Sequence, residues 1–331
     1  MSTMRHYTDN LPFPWSSPCD PLTAKELEHL TDLWHKQKIA STSPGLGKYS
    51  STARDYILGE PSVAALGLDV YMKQGFSDYW VLPNSCEEAL AAIEEEFRVH
   101  GTDEDREWFD YIRNHAASEH ACKQGLRDEG RGSVRLQDFV ASKQAVSAHL
   151  NLAHVLALRL YTSPAFSSLN IPLRTYKCDA DGKVMLPPRM KAPHSFPITV
   201  FYIREAILKL RAVESINGTQ GQFQIMWRGN KDLVVSDDCL SRGGVETAII
   251  STSLALETAV QYSFSERAVI FKIVTRSFME RGAYLDWLSV FPCERECCFP
   301  PLTFFSPTGR HQRVKLQDGY NLTVIELTPR M

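Results

Sequence analysis

Near residue 213 the hydrophobic period of this chain changes, and that change limits the folds open to it. FPITVFYIREAILKLRAV (196–213) puts Ile203, Ile207 and Leu210 on one stripe, as a helix requires. Beyond it the period falls to two. GQFQIMWRG (221–229) alternates, with Phe223, Ile225 and Trp227 on one face and Gln222, Gln224, Met226 and Arg228 on the other. VETAIISTS (245–253) reads as one strand ending in three hydroxyl residues. A short helix follows in LALETAVQYS (254–263), with Ser253 as its expected N-cap. RAVIFKIVT (267–275) reads as a buried strand, and HQRVKLQDGYNLTVIEL (311–327) as a hairpin turned at Asp318-Gly319. The spacing predicts an α+β fold, helices first and then mainly antiparallel strands.

The preceding half reads as helical. LTAKELEHLTDLWHKQK (22–38) aligns Leu27, Leu30, Leu33 and Trp34. SCEEALAAIEEEFRVHG (85–101) and TDEDREWFDYIRNHAASEH (102–120) are acidic helical segments, the second capped by Thr102 or Asp103. From Val134 onward Leu136, Phe139, Val140, Val146, Leu150, Ala153, Ala157 and Leu160 predict one long helix ending near Tyr161. Residues 1–22 read as an extended arm and 40–50 as loop; Gly45 to Lys48 lacks the spacing of a phosphate loop. GLRDEGRGS (125–133) is a Gly-rich polar break. It divides the chain into a mainly helical accessory domain, 1–130, and a second domain, 134–331.

Composition excludes several classes. The net charge of −3 over 331 residues offers no basic excess for nucleic acid. No apolar run approaches the roughly 18 residues of a membrane span, and the N-terminus lacks the apolar core of a secretory signal. The chain is expected to be cytoplasmic where it is made. None of the eight cysteines forms a C-x-x-C pair, and Cys293, Cys297 and Cys298 have no histidine nearby. The closest histidine pairs are five apart, so no metal is assigned.

The chemistry concentrates in RGAYLDWLSVFPCERECCFPPLT (281–303). Glu294 and Glu296 stand at i and i+2; if a strand runs through Cys297 to Phe299, its alternation puts both on one face. Two carboxylates pointing the same way repel, so a purely structural segment has little reason to hold them. Two other features precede this one: Arg228-Gly229, with a glycine that permits a turn, and the hydroxyl run Ser251-Thr252-Ser253.

WRG, then GGVETAIISTS with ALETAVQYS behind it, then GAYLDWLSVFPCERECCFPPLT, resemble the mono-ADP-ribosyltransferases of the arginine–serine–glutamate class. HVLALRLYTSPAFSSLNIPLR (154–174) is similar to the helix and turn that precede the catalytic sheets in that family. The resemblance covers roughly residues 134–329. It implies two packed, mainly antiparallel sheets around an NAD cleft, flanked by helices. It also implies transfer of ADP-ribose from NAD, as substrate, to a protein side chain, with release of nicotinamide.

The implied roles follow the chemistry. Arg228, with Gly229 beside it, grips the pyrophosphate through a planar fork of donors. Ser251 bonds the nicotinamide ribose and orders the catalytic glutamate, with Thr252 and Ser253 next to it. Glu296 stabilises the oxocarbenium that develops as nicotinamide leaves. Glu294 aligns an acceptor arginine and takes its proton. Phe291, three before Glu294, matches a substrate-facing aromatic. Tyr262 and Phe264 are candidates to stack on nicotinamide, with core packing the alternative for each. Cys293 stands where glycine is expected, and Cys297-Cys298 replace an aliphatic pair.

The alternatives keep the fold but change the acceptor to another side chain or to water, which would make an NAD glycohydrolase. A catalytically silent NAD-binding or partner-binding module is the third. The expected partner is a protein substrate, and the N-terminal region is open to three roles: recognising that target, binding an activating or regulatory host protein, or shielding the cleft. Such an arrangement would suit a bacterial effector or toxin delivered into a host cytosol.

Overall fold

The computed structural model describes residues 20–41, 82–114, 127–131, 134–174, 177–178, 184–185, 194–217, 223–233, 235, 237–277, 280–316 and 319–330. The segment 42–50, with Gly45 and Lys48, lies outside the described residues, as does Asp318 of the expected turn.

Helix α1 (Ala24–Ser41) starts where Thr23 and Glu26 exchange hydrogen bonds, and it buries Leu30 and Trp34. Helices α2 (Cys86–His100) and α3 (Asp103–Asn114) are capped by Ser85 and Thr102, and Asp105 returns a bond to the Thr102 amide.

The long helix expected over 136–161 is instead three: α4 (Leu136–Val140), α5 (Lys143–Ser147) and α6 (Leu152–Tyr161). Ser142 and Asn151 each accept a backbone N–H and start a new helix, and His149 between them has φ of 51°. Val146, assigned by periodicity to the apolar face, is 60% exposed. Helix α7 (Phe166–Arg174) and the long α8 (Pro197–Asn217) complete the helical layer, with the two-stranded pair β1 (Lys177–Cys178) and β2 (Val184–Met185) between them.

The larger sheet comprises β3 (Gln224–Asn230), β4 (Gly244–Glu246), β5 (Ile250–Ser253), β6 (Arg267–Thr275), β7 (Ala283–Tyr284), β8 (Glu296–Phe299), β9 (Thr303–Lys315) and β10 (Asn321–Arg330). Helices α9 (Asp237–Arg242) and α10 (Leu256–Ser263) lie between strands. The order is β4-β9-β10-β6-β3-β5-β8-β7, antiparallel except where β10 meets β6. At its middle β3 and β5 pair through one register, Trp227 opposite Ser253. In place of the expected pair of packed sheets there is one eight-stranded ladder, narrowed at this seam into parts of five and three strands.

VETAIISTS is not one strand. Val245 and Glu246 end β4 against β9, and the chain crosses to β5 before pairing again. The crossing is held by side chains: Glu246 accepts from the Ala248 amide, and Asn170 bonds both backbone groups of Ile249. The hairpin of β9 and β10 forms as expected, with Gly319 at φ of 82°.

The period-two pattern sorts residues into separate cores. Trp227, Ala268, Ile270, Leu322 and Val324 pack with α1 and α10, whereas Met226, Val269, Phe271, Ile273 and Ile325 pack on the opposite face. A third core joins α2 to α8 with Ala283, Leu285, Leu288, Val290 and Cys298. Buried polar groups tie these layers together. Glu96 of α2 accepts from the Ile198 and Thr199 amides at the start of α8, and Lys272 of β6 donates to Glu26 and to the Pro21 carbonyl.

Candidate active site

A cavity of about 590 Å³ opens along the seam between β3 and β5, within the size range of small-molecule sites. Its lining includes Arg228, Gly229, Ser251, Thr252, Ser253, Phe291, Glu294 and Glu296. The structure thus brings these eight residues, assigned roles at the site from the sequence, to one place, from β3, β5, β8 and the turn before β8.

Gly229 is not a turn residue. It lies inside β3, and a Cβ there would stand 1.9 Å from the Ala259 carbonyl oxygen and 2.7 Å from the Ser263 nitrogen. The glycine lets α10 pack directly on the strand, which sets the cavity wall next to Arg228. The guanidinium of Arg228 donates to the Ser251 carbonyl at 2.6 Å, linking the strands across the seam.

The three hydroxyls divide their work. Ser251 bonds the carboxylate of Glu296. Thr252 donates to the Cys297 carbonyl of the neighbouring strand. Ser253 donates to the Glu294 carbonyl and accepts from the Ala255 amide. Ser253 is therefore not the N-cap of α10; that position falls to Ala255, which has no side chain to cap with. Ser253 instead fastens the turn that carries Glu294.

That turn departs from the strand expected through both glutamates. Pro292–Glu294 is a 3₁₀ turn, Arg295 adopts the left-handed conformation with φ of 48°, and β8 begins only at Glu296. The carboxylates face the same cavity because of this turn and not through strand alternation. Glu296 is 5% exposed. Burial raises its pKa, while Ser251, Cys298 and Ser289 as donors, and the charge of Arg228, pull it back. Glu294 is half-buried; desolvation and then the charge of Glu296 push its carboxyl up to about 7, against a hydrogen bond from Tyr262.

Of the two aromatic candidates, Phe264 belongs to the core, 4.9 Å from Trp34 between ring centroids, whereas Tyr262 lines the cavity. Phe291 also lines it and packs edge-on against Trp108 of α3 at 6.0 Å. Cys297 and Cys298 are buried in two different cores, and Cys298 also donates to Glu296 at 3.4 Å. Cys293 is exposed, with its thiol pKa raised by desolvation and by neighbouring carboxylates.

Sequence reasoning missed Tyr161, Asn170 and Arg174 on the opposite wall. All three fall in the segment 154–174 that carried the resemblance, which marked the stretch without marking the residues. Arg174 pairs with the buried Glu246 at 3.1 Å. Ser289, which bridges the loop to Glu296, also went unmarked. Among the described residues no cluster of histidine, cysteine or carboxylate side chains could hold a metal ion, and no helix is long and apolar enough to cross a membrane.

No family model and no curated protein matches the chain. Among solved structures it is similar to the eukaryotic mono-ADP-ribosyltransferase ART2.2, at 15% identity over 78% of this chain and 92% of that one, with a TM-score of 0.45. A second is the ADP-ribosyltransferase HopU1 of Pseudomonas syringae pv. tomato DC3000, at 16% identity, 68% and 97% coverage and a TM-score of 0.39. A third is exoenzyme S of Pseudomonas aeruginosa, bound to human 14-3-3 protein beta and carba-NAD, at 18%, 67% and 88%, and 0.37. Likenesses this distant assign neither family nor activity. By its own architecture the molecule is an α+β protein with a paired-carboxylate cleft at a sheet seam.

Proposed function

We propose that the protein is an NAD-dependent mono-ADP-ribosyltransferase that moves ADP-ribose to an arginine side chain of another protein. One observation carries this reading. An arginine, a serine and two carboxylates, nominated from three separate stretches of sequence, line a single cavity of suitable size. Arg228 at the seam is the group to meet the pyrophosphate. Glu296, buried and held by Ser251, Ser289 and Cys298, is a preorganised negative charge for a ribose turning cationic as its bond to nicotinamide breaks.

Nicotinamide departs with the electron pair of that bond and leaves neutral. The acceptor guanidinium attacks the anomeric carbon and surrenders a proton, which Glu294 receives. A carboxyl raised to about 7 is matched to accepting a proton under neutral conditions, and two carboxylates lining one cavity attract a cationic guanidinium as they do not attract neutral water, which is the support for an arginine acceptor. The N-terminal region is the proposed contact for the target or for an activating host protein. Delivery into a host cytosol belongs to the same proposal.

The test is nicotinamide release from NAD by the full chain, with and without agmatine, a small guanidine that mimics arginine. Stimulated release that is lost in Glu296→Gln, and that falls back to slow hydrolysis in Glu294→Gln, is the expected result. Release indifferent to agmatine would transfer the assignment to another acceptor or to water.

A further inference from the structure

The loop that leads into the paired carboxylates is gripped from outside the catalytic sheet. Three consecutive carbonyls, those of Leu288, Ser289 and Val290, each accept a hydrogen bond from a different residue. The Arg159 guanidinium of α6 donates to Leu288 at 2.8 Å, Arg131 to Ser289 at 2.7 Å, and the Asp128 amide to Val290 at 2.6 Å. Arg131 also donates to the Asp286 carbonyl. The donors are themselves locked together, because Arg159 and Asp128 form a two-bond ion pair at 3.0 and 2.7 Å with both residues about 1% exposed. The Tyr111 hydroxyl of α3 adds a third bond to the Asp128 carboxylate at 2.8 Å.

Ordinary packing does not need this arrangement. A buried ion pair costs desolvation that apolar side chains would avoid, and here its two residues each also donate to one short piece of backbone. That piece sits immediately before Phe291, Pro292 and Glu294. The Ser289 hydroxyl reaches Glu296 at 3.4 Å and also accepts from the Phe291 amide at 3.2 Å.

We propose that Asp128, Arg131 and Arg159 are positioning residues for the transfer step, forming a clamp that sets the turn bearing Phe291 and Glu294 against the cavity. This inference rests on the transferase reading. It extends that reading to residues 127–131, which lie outside the catalytic resemblance. Glu296 loses at most its Ser289 bond when the clamp loosens and stays fixed by the ladder of β8 with β5 and by Ser251 and Cys298, so Glu294 and Phe291 are displaced more than Glu296. Misplacement of this kind slows reactions by about 10- to 100-fold.

The experiment uses the full chain and Arg131→Met, which keeps the apolar stem and leaves the Asp128–Arg159 pair intact. Transfer to agmatine is expected to fall at least tenfold, while NAD hydrolysis without acceptor falls less than threefold. Amide hydrogen exchange across 286–291 is expected to quicken with the rest of the molecule unchanged. Transfer and hydrolysis reduced in equal proportion, or exchange in 286–291 unaltered, would overturn the clamp. If the wild-type chain releases no nicotinamide, the transferase reading fails on its own, and exchange still decides whether Arg131 holds the loop.

Discussion

The hydroxyl of Tyr262, on α10, donates a 2.9 Å hydrogen bond to Oε1 of Glu294, on the turn before β8. The bond favours the ionised carboxylate, opposing the desolvation and the Glu296 charge that raise it to about 7. Tyr262→Phe keeps the ring and removes the bond, so the pKa of Glu294 rises further. The acid limb of the transfer rate against pH should move up by about one unit, with activity depressed at pH 6–7 and restored near pH 9. A pH profile of agmatine modification checks it; an unshifted limb would separate Tyr262 from the protonation of Glu294.

Gly229→Ala should be costly although the site is not a turn. The added methyl would meet the Ala259 carbonyl and the Ser263 nitrogen, both backbone atoms of α10 that no side-chain rotation can clear. A loss of about 3 kcal/mol in unfolding free energy is expected, together with weakened NAD binding, because α10 and Arg228 must separate. Denaturant melts and an NAD titration measure the two effects.

Lys272→Met tests how firmly α1 is built into the sheet. The ammonium of Lys272 donates to both oxygens of Glu26 and to the Pro21 carbonyl, and its loss leaves a part-buried carboxylate with only its Thr23 donors. The expected cost is about 3 kcal/mol, with much of it recovered when Glu26→Gln is added. Urea unfolding of the two single variants and the double variant gives the coupling directly.

Glu214 makes stability depend on pH in an unusual direction. Burial pushes its carboxyl up to about 7, and Oε2 has no hydrogen-bond partner among the described residues. Between about pH 4.5 and 7 the folded chain holds a proton that the unfolded chain releases. This contribution is therefore full below the unfolded pKa and disappears as pH rises through 7. Glu96 and Glu294, also raised to about 7, act in the same sense. Glu214→Gln should flatten the decline in unfolding free energy from pH 5 to 8; curves that stay parallel to wild type would assign the dependence elsewhere.

What the sequence made legible was local. The change of period near residue 213 marks the start of the sheet, and alternation within β3 sorts Trp227 from Met226 correctly, whereas the near-continuous apolar run of β6 left Ile270 and Phe271 undivided. Arg228, Ser251, Glu294 and Glu296, which line one cavity, could be nominated because each sits beside a distinctive flank. Backbone conformation was less visible. Nothing in the residue pattern distinguishes a strand through Glu294 from a 3₁₀ turn ended by a left-handed Arg295. The apolar spacing over 136–161 concealed two N-caps, because Ser142 and Asn151 are polar residues that a helix face also tolerates. Contacts between distant segments, such as Asn170 with Ile249 or Arg131 with Ser289, leave no periodic trace at all.

The clamp on Leu288, Ser289 and Val290 bears on how such a protein can be cut or diverge. A fragment beginning at Val134 would retain Arg228, Ser251, Glu294 and Glu296 while discarding Asp128 and Arg131, two of the three donors that hold the loop. If the proposed clamp serves the transfer step, motif and competence are inherited through different parts of the chain. On the transferase reading, a descendant could keep every signature residue and fall silent through a change at Arg131, 97 positions upstream of Arg228.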